Sequence, residues 1–294
     1  MLAYLQNIAV LFAINAILAL TLNFIMGYAG IFSLAQAIFF GVGAYTAAYI
    51  ALNVSDSLLL AMGAAMAISA VISMALALPA LRVRGEYFVA ASLGLQMIGV
   101  TIFSEWKSVT GGLGGMVGVP PPVIFGYTIT STVEFLTLAL VVLFTILGLV
   151  ALLVRGSFGR SLMALRDSES AGQAYGKHVN AVKTLSVAVS AALASLGGVI
   201  YAFYMSFVNV EVFTLEMSIL FMAMVIIGGT GTLFGPLVGA AVVMALPAAL
   251  TYLPFIPASE LGTIQQIIYG SAMVLLMMFR PGGLVGGRSK DKSA

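Results

Sequence analysis

Apolar residues run through this chain in long unbroken stretches, and polar residues gather between them. Windows able to cross ~30 Å of hydrocarbon fall at 5–26, 34–52, 57–79, 87–104, 133–154, 184–204, 217–234, 236–253 and 264–280. Each is continuous and about twenty residues long, which selects spanning helices over the alternating ten-residue strands of a barrel. The pattern predicts an all-α polytopic membrane protein with about nine transmembrane helices, in the range 8–10. The first window lacks the basic leader of a signal peptide and is too long for one, so it is expected to be a retained spanning helix.

Glycine interrupts the pattern twice, in "GYAGIFSLAQAIFFGVGAY" (27–45) and "GGTGTLFGPLVGA" (228–240). Such segments read as broken or re-entrant helices, which are tolerated where protein or a water-filled cavity surrounds the freed backbone. The long loop at 105–132 is rich in Gly and Pro and reads as an irregular cap over the outer mouth. No loop is long enough for a soluble domain. One integral-membrane domain covering 1–294 is expected, with a polar loop at 155–183 and a tail at 281–294.

Composition sharpens this. Hydrophobic residues make up 62% and charged residues 7%, with mean hydropathy +1.14, against about a quarter charged in a soluble domain. Cysteine is absent and His178 is the single histidine. Disulfides, thiolate sites and His-rich metal clusters are therefore excluded, and no metal site is expected. His178 reads as a solvated loop residue more readily than as a pH-responsive group.

Placement of charge gives an orientation. Arg82 and Arg84, the 155–183 loop and the tail from Arg280 carry eleven of the twelve positive charges. Asp56, Glu105, Lys107, Glu211, Glu216 and Glu260 sit in the other loops. Nine alternating spans put every basic segment on one side, so the 155–183 loop and the C-terminus are expected in the cytoplasm and the N-terminus outside.

Within the spans, polarity is limited to Asn15, Asn23, Gln36, Gln96, Ser and Thr. Ion-coupled transporters usually keep an acid, base or histidine near the midplane. Intramembrane hydrolysis likewise needs a base to activate a serine. Their absence says that a solute-moving chain of this kind takes its energy from another subunit. No phosphate-binding loop of the Gly-x-x-x-x-Gly-Lys-Ser/Thr type occurs, so the chain is not expected to be an enzyme or to bind a cofactor.

The polar loop "RGSFGRSLMALRDSESAGQAYGKHVNAVK" (155–183) holds five of the twelve Lys/Arg residues. Its first part suits one or two short helices, with Ser157 as cap, Leu162 and Leu165 on one face, and Arg160, Arg166, Asp167 and Glu169 on the others. Two readings stand: a partner-docking helix, and a solvated loop whose arginines enforce topology.

Six segments in order resemble the branched-chain amino acid ABC transporter permease family. They are "GYAGIFSLAQAIFFGVGAYTAAY" (27–49), "LPALRVRGEYFVAASL" (78–93), "TGGLGGMVGVP" (110–120), "FGRSLMALRDSESAGQAYG" (158–176), "GGTGTLFGPLVGAA" (228–241) and "FRPGGLVG" (279–286). The LivM-type subunit is the nearer match. The resemblance implies an inner-membrane importer subunit that pairs with a LivH-like permease, two cytoplasmic ATPases that carry ATP and Mg, and an extracytoplasmic solute-binding protein. Membrane lipid is its medium, and nothing points to nucleic acid.

The resemblance also implies that 158–176 docks into the ATPase, through Phe158, Gly159, Arg160, Leu162, Leu165, Arg166, Glu169, Ala171 and Gly176. Ser170 stands where the family's acid is expected and Gly172 where its second alanine is. Ala35 and Gln36 likewise replace the family's Gly-His in "SLAQA" (33–37). Gln36 either satisfies the same neighbours as a neutral donor and acceptor or marks a changed solute, with urea, short amides and aromatic carboxylates handled by relatives.

The two glycine-rich blocks supply the translocation-path candidates Tyr28, Ser33, Gln36, Gly41, Gly43, Tyr45, Gly229, Thr230 and Thr232, since backbone at a broken helix offers polar groups without a buried charge. Close helix packing is the competing explanation of those glycines. In the outer loop, Gly112 and Gly114 are candidates for meeting the binding protein or forming a flexible lid. The sequence thus points to a permease subunit of an ATP-driven importer for branched-chain amino acids or a related small polar solute. The alternative is an ATP-independent secondary transporter or facilitator.

Overall fold

A computed structural model of the chain describes residues 2–80, 85–168, 178–251, 261–279 and 282–286. Helices form wherever the apolar windows predict them. In chain order they are α1 (Leu2–Asn23), continued by a π turn (Phe24–Tyr28), then α2 (Gln36–Asn53), α3 (Leu58–Ala80), α4 (Gly85–Glu105), the single turn α5 (Lys107–Thr110) and α6 (Thr132–Arg155). These are followed by α7 (Ser157–Asp167), α8 (Val179–Met205), α9 (Leu215–Gly228), α10 (Gly235–Thr251) and α11 (Leu261–Phe279). Four two-residue strands, β1 (Met116–Val117), β2 (Val123–Ile124), β3 (Tyr127–Thr128) and β4 (Phe207–Val208), occur in loops. The fold is all-α and polytopic.

Five of the helical segments are long and apolar enough to cross a membrane: Tyr4–Tyr28, Leu58–Ala75, Tyr87–Glu105, Thr132–Arg155 and Val179–Met205. Three more, Leu215–Gly228, Gly235–Pro247 and Gly262–Leu276, are apolar but shorter. At 1.5 Å per residue such helices fall short of the full hydrocarbon thickness.

α2 and α8 form the centre of the bundle, with α3 and α1 packed on α8 and α6 packed on α1. The α2–α8 crossing is made by glycine. A Cβ on Gly43 would strike the carbonyl oxygen of Ser195, and one on Gly198 would strike that of Phe40. Inside a bilayer, helices gain nothing from leaving lipid for one another, so close van der Waals approach through small residues carries the association. On the periphery, α3, α4 and α6 expose Leu60, Val71, Met97, Ile98, Val141, Phe144 and Leu152, a surface suited to hydrocarbon and not to water.

The two ends of the bundle differ. At one end the loops after α2, α4 and α8 are tied by backbone pairing. Ser57 bridges Val123, and β1 pairs antiparallel with β4, Met116 opposite Val208. The expected irregular cap at 105–132 therefore contains short regular pieces, including a β2–β3 hairpin that turns through Phe125 and Gly126 at φ +48° and +87°. Its return to α6 is a capping box: Ser131 accepts from Val133 N, and Glu134 accepts from Ser131 N at 3.0 Å. Satisfying helix-start amides this way stabilises a terminus by about 1 kcal/mol. The other end carries Arg155, Arg160 and Arg166 and is called the basic end below.

Candidate functional site

The basic end is built around a break in the first helix. After Asn23 the backbone widens into the buried π turn 24–28 and then runs without helix from Ala29 to Ala35. Only this part of the first glycine-rich block is broken: Gly41 and Gly43 lie inside the continuous α2. The second block breaks at 229–234, between α9 and α10. The two breaks meet. Asn23 Nδ2 donates to Thr232 O at 2.8 Å, and Asn23 Oδ1 accepts from Gly231 N at 2.9 Å. One side-chain amide thus satisfies two backbone groups that would otherwise be stranded away from water. The approach is close enough that a Cβ on Gly27 would collide with Gly231 N.

Thr232 and the C-terminal segment finish this junction. Thr232 Oγ1 donates to Gly229 O at 2.9 Å and accepts from Gly235 N at 3.0 Å, closing the turn onto the start of α10. The free carbonyls at the end of α9 accept from 282–286: Leu284 N reaches Ile227 O and Val285 N reaches Gly228 O, both at 3.0 Å. Thr230 lies in the same turn.

α7 lies across this junction. It follows α6 after one extended residue, Gly156, which occupies the N-cap position (φ −73°, ψ −178°). Ser157, expected as the cap, is instead the first helical residue, because α6 runs on to Arg155 and leaves only Gly156 for the elbow. Leu162 and Leu165 are buried as their spacing predicts, together with Gly159, where a Cβ would meet Val154 O. The ring of Phe158 stacks on Phe24 in the π turn at 6.5 Å. Arg160 faces outward, donating to Arg155 O at 3.2 Å. Arg166 does not share that outward face: its Nη1 donates to Gly27 O at 2.7 Å and its Nε to Asp167 Oδ1 at 3.1 Å. Glu169, Ala171 and Gly176, with Ser170, Gly172 and the 287–294 part of the tail, lie outside the described residues.

A second polar group surrounds the start of α2, whose first amides have no helical partner. Leu34 N donates to Ser92 Oγ on α4 at 3.0 Å, and Ala35 N to Ser33 Oγ at 3.3 Å. Ala37 N donates to Ser218 Oγ on α9 at 2.9 Å. Ser218 in turn donates to Gln96 Oε1 at 3.3 Å, and Gln96 Nε2 donates to Phe213 O at 2.7 Å. Gln36 Nε2 donates to Thr21 Oγ1 at 2.9 Å, and Ser190 Oγ to Thr21 O at 2.7 Å. All the side chains in this network are uncharged.

Further along α2, Gly41 abuts the rings of Phe103 and Phe213. Tyr45 packs its ring 4.8 Å from Phe103 and 5.6 Å from Phe213. Its buried hydroxyl has no partner among the described residues. Tyr28 is buried in the π turn beside Arg166. The sequence candidates therefore fall into four places. Tyr28, Gly229, Thr230 and Thr232 join the basic-end junction, Ser33 and Gln36 join the polar network, and Gly41 and Tyr45 join the aromatic cluster. Gly43 lies in the α2–α8 crossing. Among the described residues no group of three His, Cys, Asp or Glu side chains could hold a metal ion.

The family model described as "Branched-chain amino acid transport system / permease component" matches residues 4–279. The chain belongs to that family. It is 29% identical over 302 aligned residues to the high-affinity branched-chain amino acid transport system permease protein LivM of Salmonella typhimurium, covering 95% of this chain and 69% of that relative. The Escherichia coli LivM matches with the same identity and coverage. No solved structure matches the chain significantly.

In this permease-family chain, sequence reasoning passed over Asn23, Thr21, Ser92, Gln96, Ser190 and Ser218 as site residues. Each is a lone polar residue in an apolar run, and in hydrocarbon such a residue needs a stated partner. That signal was present for all six. Their partners were not, because they lie on other helices.

Proposed function

We propose that this chain is a membrane-spanning permease subunit of an ATP-driven importer for branched-chain amino acids or a related small polar solute. It works in the prokaryotic inner membrane, with the basic end and the C-terminus in the cytoplasm. Its partners are a second, LivH-like permease, two ATPases that bind ATP and Mg, and an extracytoplasmic binding protein. The observation that carries this reading is α7, a short helix seated on the broken end of α1 by Phe158, Leu162 and Leu165 while Arg160 faces away from the bundle. A helix held in this way presents one face to a partner and passes its displacement to the core through the other.

The absence of charge supports the same reading. Among the described residues no Asp, Glu, Lys, Arg or His side chain is buried, so no ordinary carrier of a coupling proton lies in the core. The solute path passes Gly41 and Tyr45 along α2 and Ser33 and Gln36 at its start, and reaches the basic end near Tyr28 and the 229–232 turn. The Ala35–Gln36 pair in place of the family's Gly-His bears on which solute is taken.

The test is deletion of residues 160–170, reading membrane insertion and ATPase co-purification separately. Loss of the ATPase with normal insertion supports the reading. Unchanged solute transport by the deleted chain overturns it in favour of a facilitator that needs no ATPase.

A further inference from the structure

Resemblance alone assigns Arg166 to the surface that meets the ATPase; its side chain is 41% exposed and also reaches back onto the broken end of α1. From the last turn of α7 it lies along Gly30, whose φ of +69° leaves the side facing α7 without a Cβ; a Cβ built there would sit 2.7 Å from Arg166 Cγ. The guanidinium then reaches Gly27 O at 2.7 Å, at the seam where Gly27 and Gly231 touch. Gly27 O belongs to the last residues of the π turn, where carbonyls have no partner ahead of them in the helix and the helix dipole favours a cation. Asp167 Oδ1 accepts from Nε at 3.1 Å in an exposed pair.

We infer that Arg166 is a positioning residue that latches α7 to the π turn of α1, so that α7 and the Gly27–Gly231 junction move as one body. Three contacts in series make the linkage: Phe158 on Phe24, Arg166 on Gly27 O, and Asn23 on Gly231 and Thr232. Displacement of α7 is thereby delivered to two places at once, the broken end of α1 and the α9–α10 turn. The first precedes α2, and the second is the 229–232 turn, both placed on the proposed solute path. The step from ATPase to α7 rests on the proposed function, whereas the latch is a property of this chain.

Because the chain has no cysteine, spin labels can be placed at introduced Ala164→Cys and Phe234→Cys in the full chain in lipid nanodiscs. The informative variant is Arg166→Met, which keeps an apolar stem over Gly30 and removes the donors and the charge. The parent is expected to give one narrow distance distribution between α7 and the α9–α10 turn. Arg166→Met broadens or shifts it, and Arg166→Lys, which keeps a cationic donor, restores part. An unchanged distribution in Arg166→Met overturns the latch, and Arg166→Gln read in the same way decides the point if the methionine variant fails to insert.

In the assembled importer, Arg166→Met should leave ATPase co-purification intact and lower radiolabelled leucine import per ATP hydrolysed by about tenfold, within the range of coupling between two linked sites. A loss that merely tracks the amount of ATPase bound places Arg166 in the docking surface and overturns the inference. Should the parent chain bind no ATPase, the proposed function fails, while the nanodisc distances still decide the latch.

Discussion

Single residues in this protein act mainly through what they leave out or pair within hydrocarbon. Gly43 and Gly198 let α2 and α8 cross backbone to backbone, and a methyl at either would strike a carbonyl oxygen. Because overpacking a tight contact costs roughly 1–3 kcal/mol, Gly43→Ala and Gly198→Ala should each lower the unfolding temperature in detergent. Gly63→Ala, where nothing lies within 4 Å, should not. Gln36 offers a milder case. Its bond to Thr21 is worth about 1 kcal/mol at most in a membrane interior, so Gln36→Ala should weaken thermal stability only slightly. A larger loss in solute uptake than in stability would place Gln36 on the path, and equal losses would make it a packing residue.

At the scale of elements, the sequence was legible where one helix decides its own fate. The window 133–154 became Thr132–Arg155, and the buried pair Leu162 and Leu165 followed from spacing alone. It was less legible where elements meet. Glycine at 41 and 43 looked like part of a break, yet α2 runs through both, because their missing Cβ atoms serve packing against Phe103 and α8. The direction of Arg166 was hidden for a similar reason: its acceptor lies 139 residues away, on a π turn that no periodicity announces. The start of α6 is an element-level test. Ser131→Ala removes half of the capping box and should cost about 1 kcal/mol, read as faster hydrogen exchange in the first turn of α6 while the rest of the helix stays protected. The same exchange throughout α6 would mean that the cap holds the whole element.

For the whole molecule, the arrangement separates two ends with different duties. One is closed by paired loops around 57, 116–128 and 207–208. The other gathers both helix breaks, the C-terminal segment and α7 at one junction. Between them the buried polar groups among the described residues are uncharged. The most direct measurement is uptake of radiolabelled leucine, isoleucine or valine into proteoliposomes, comparing the assembled importer with the purified chain. The account predicts uptake that requires ATP, the ATPases and the binding protein, with none by the chain alone under any ion gradient. Accumulation by the isolated chain on an ion gradient, without an ATPase, would contradict it.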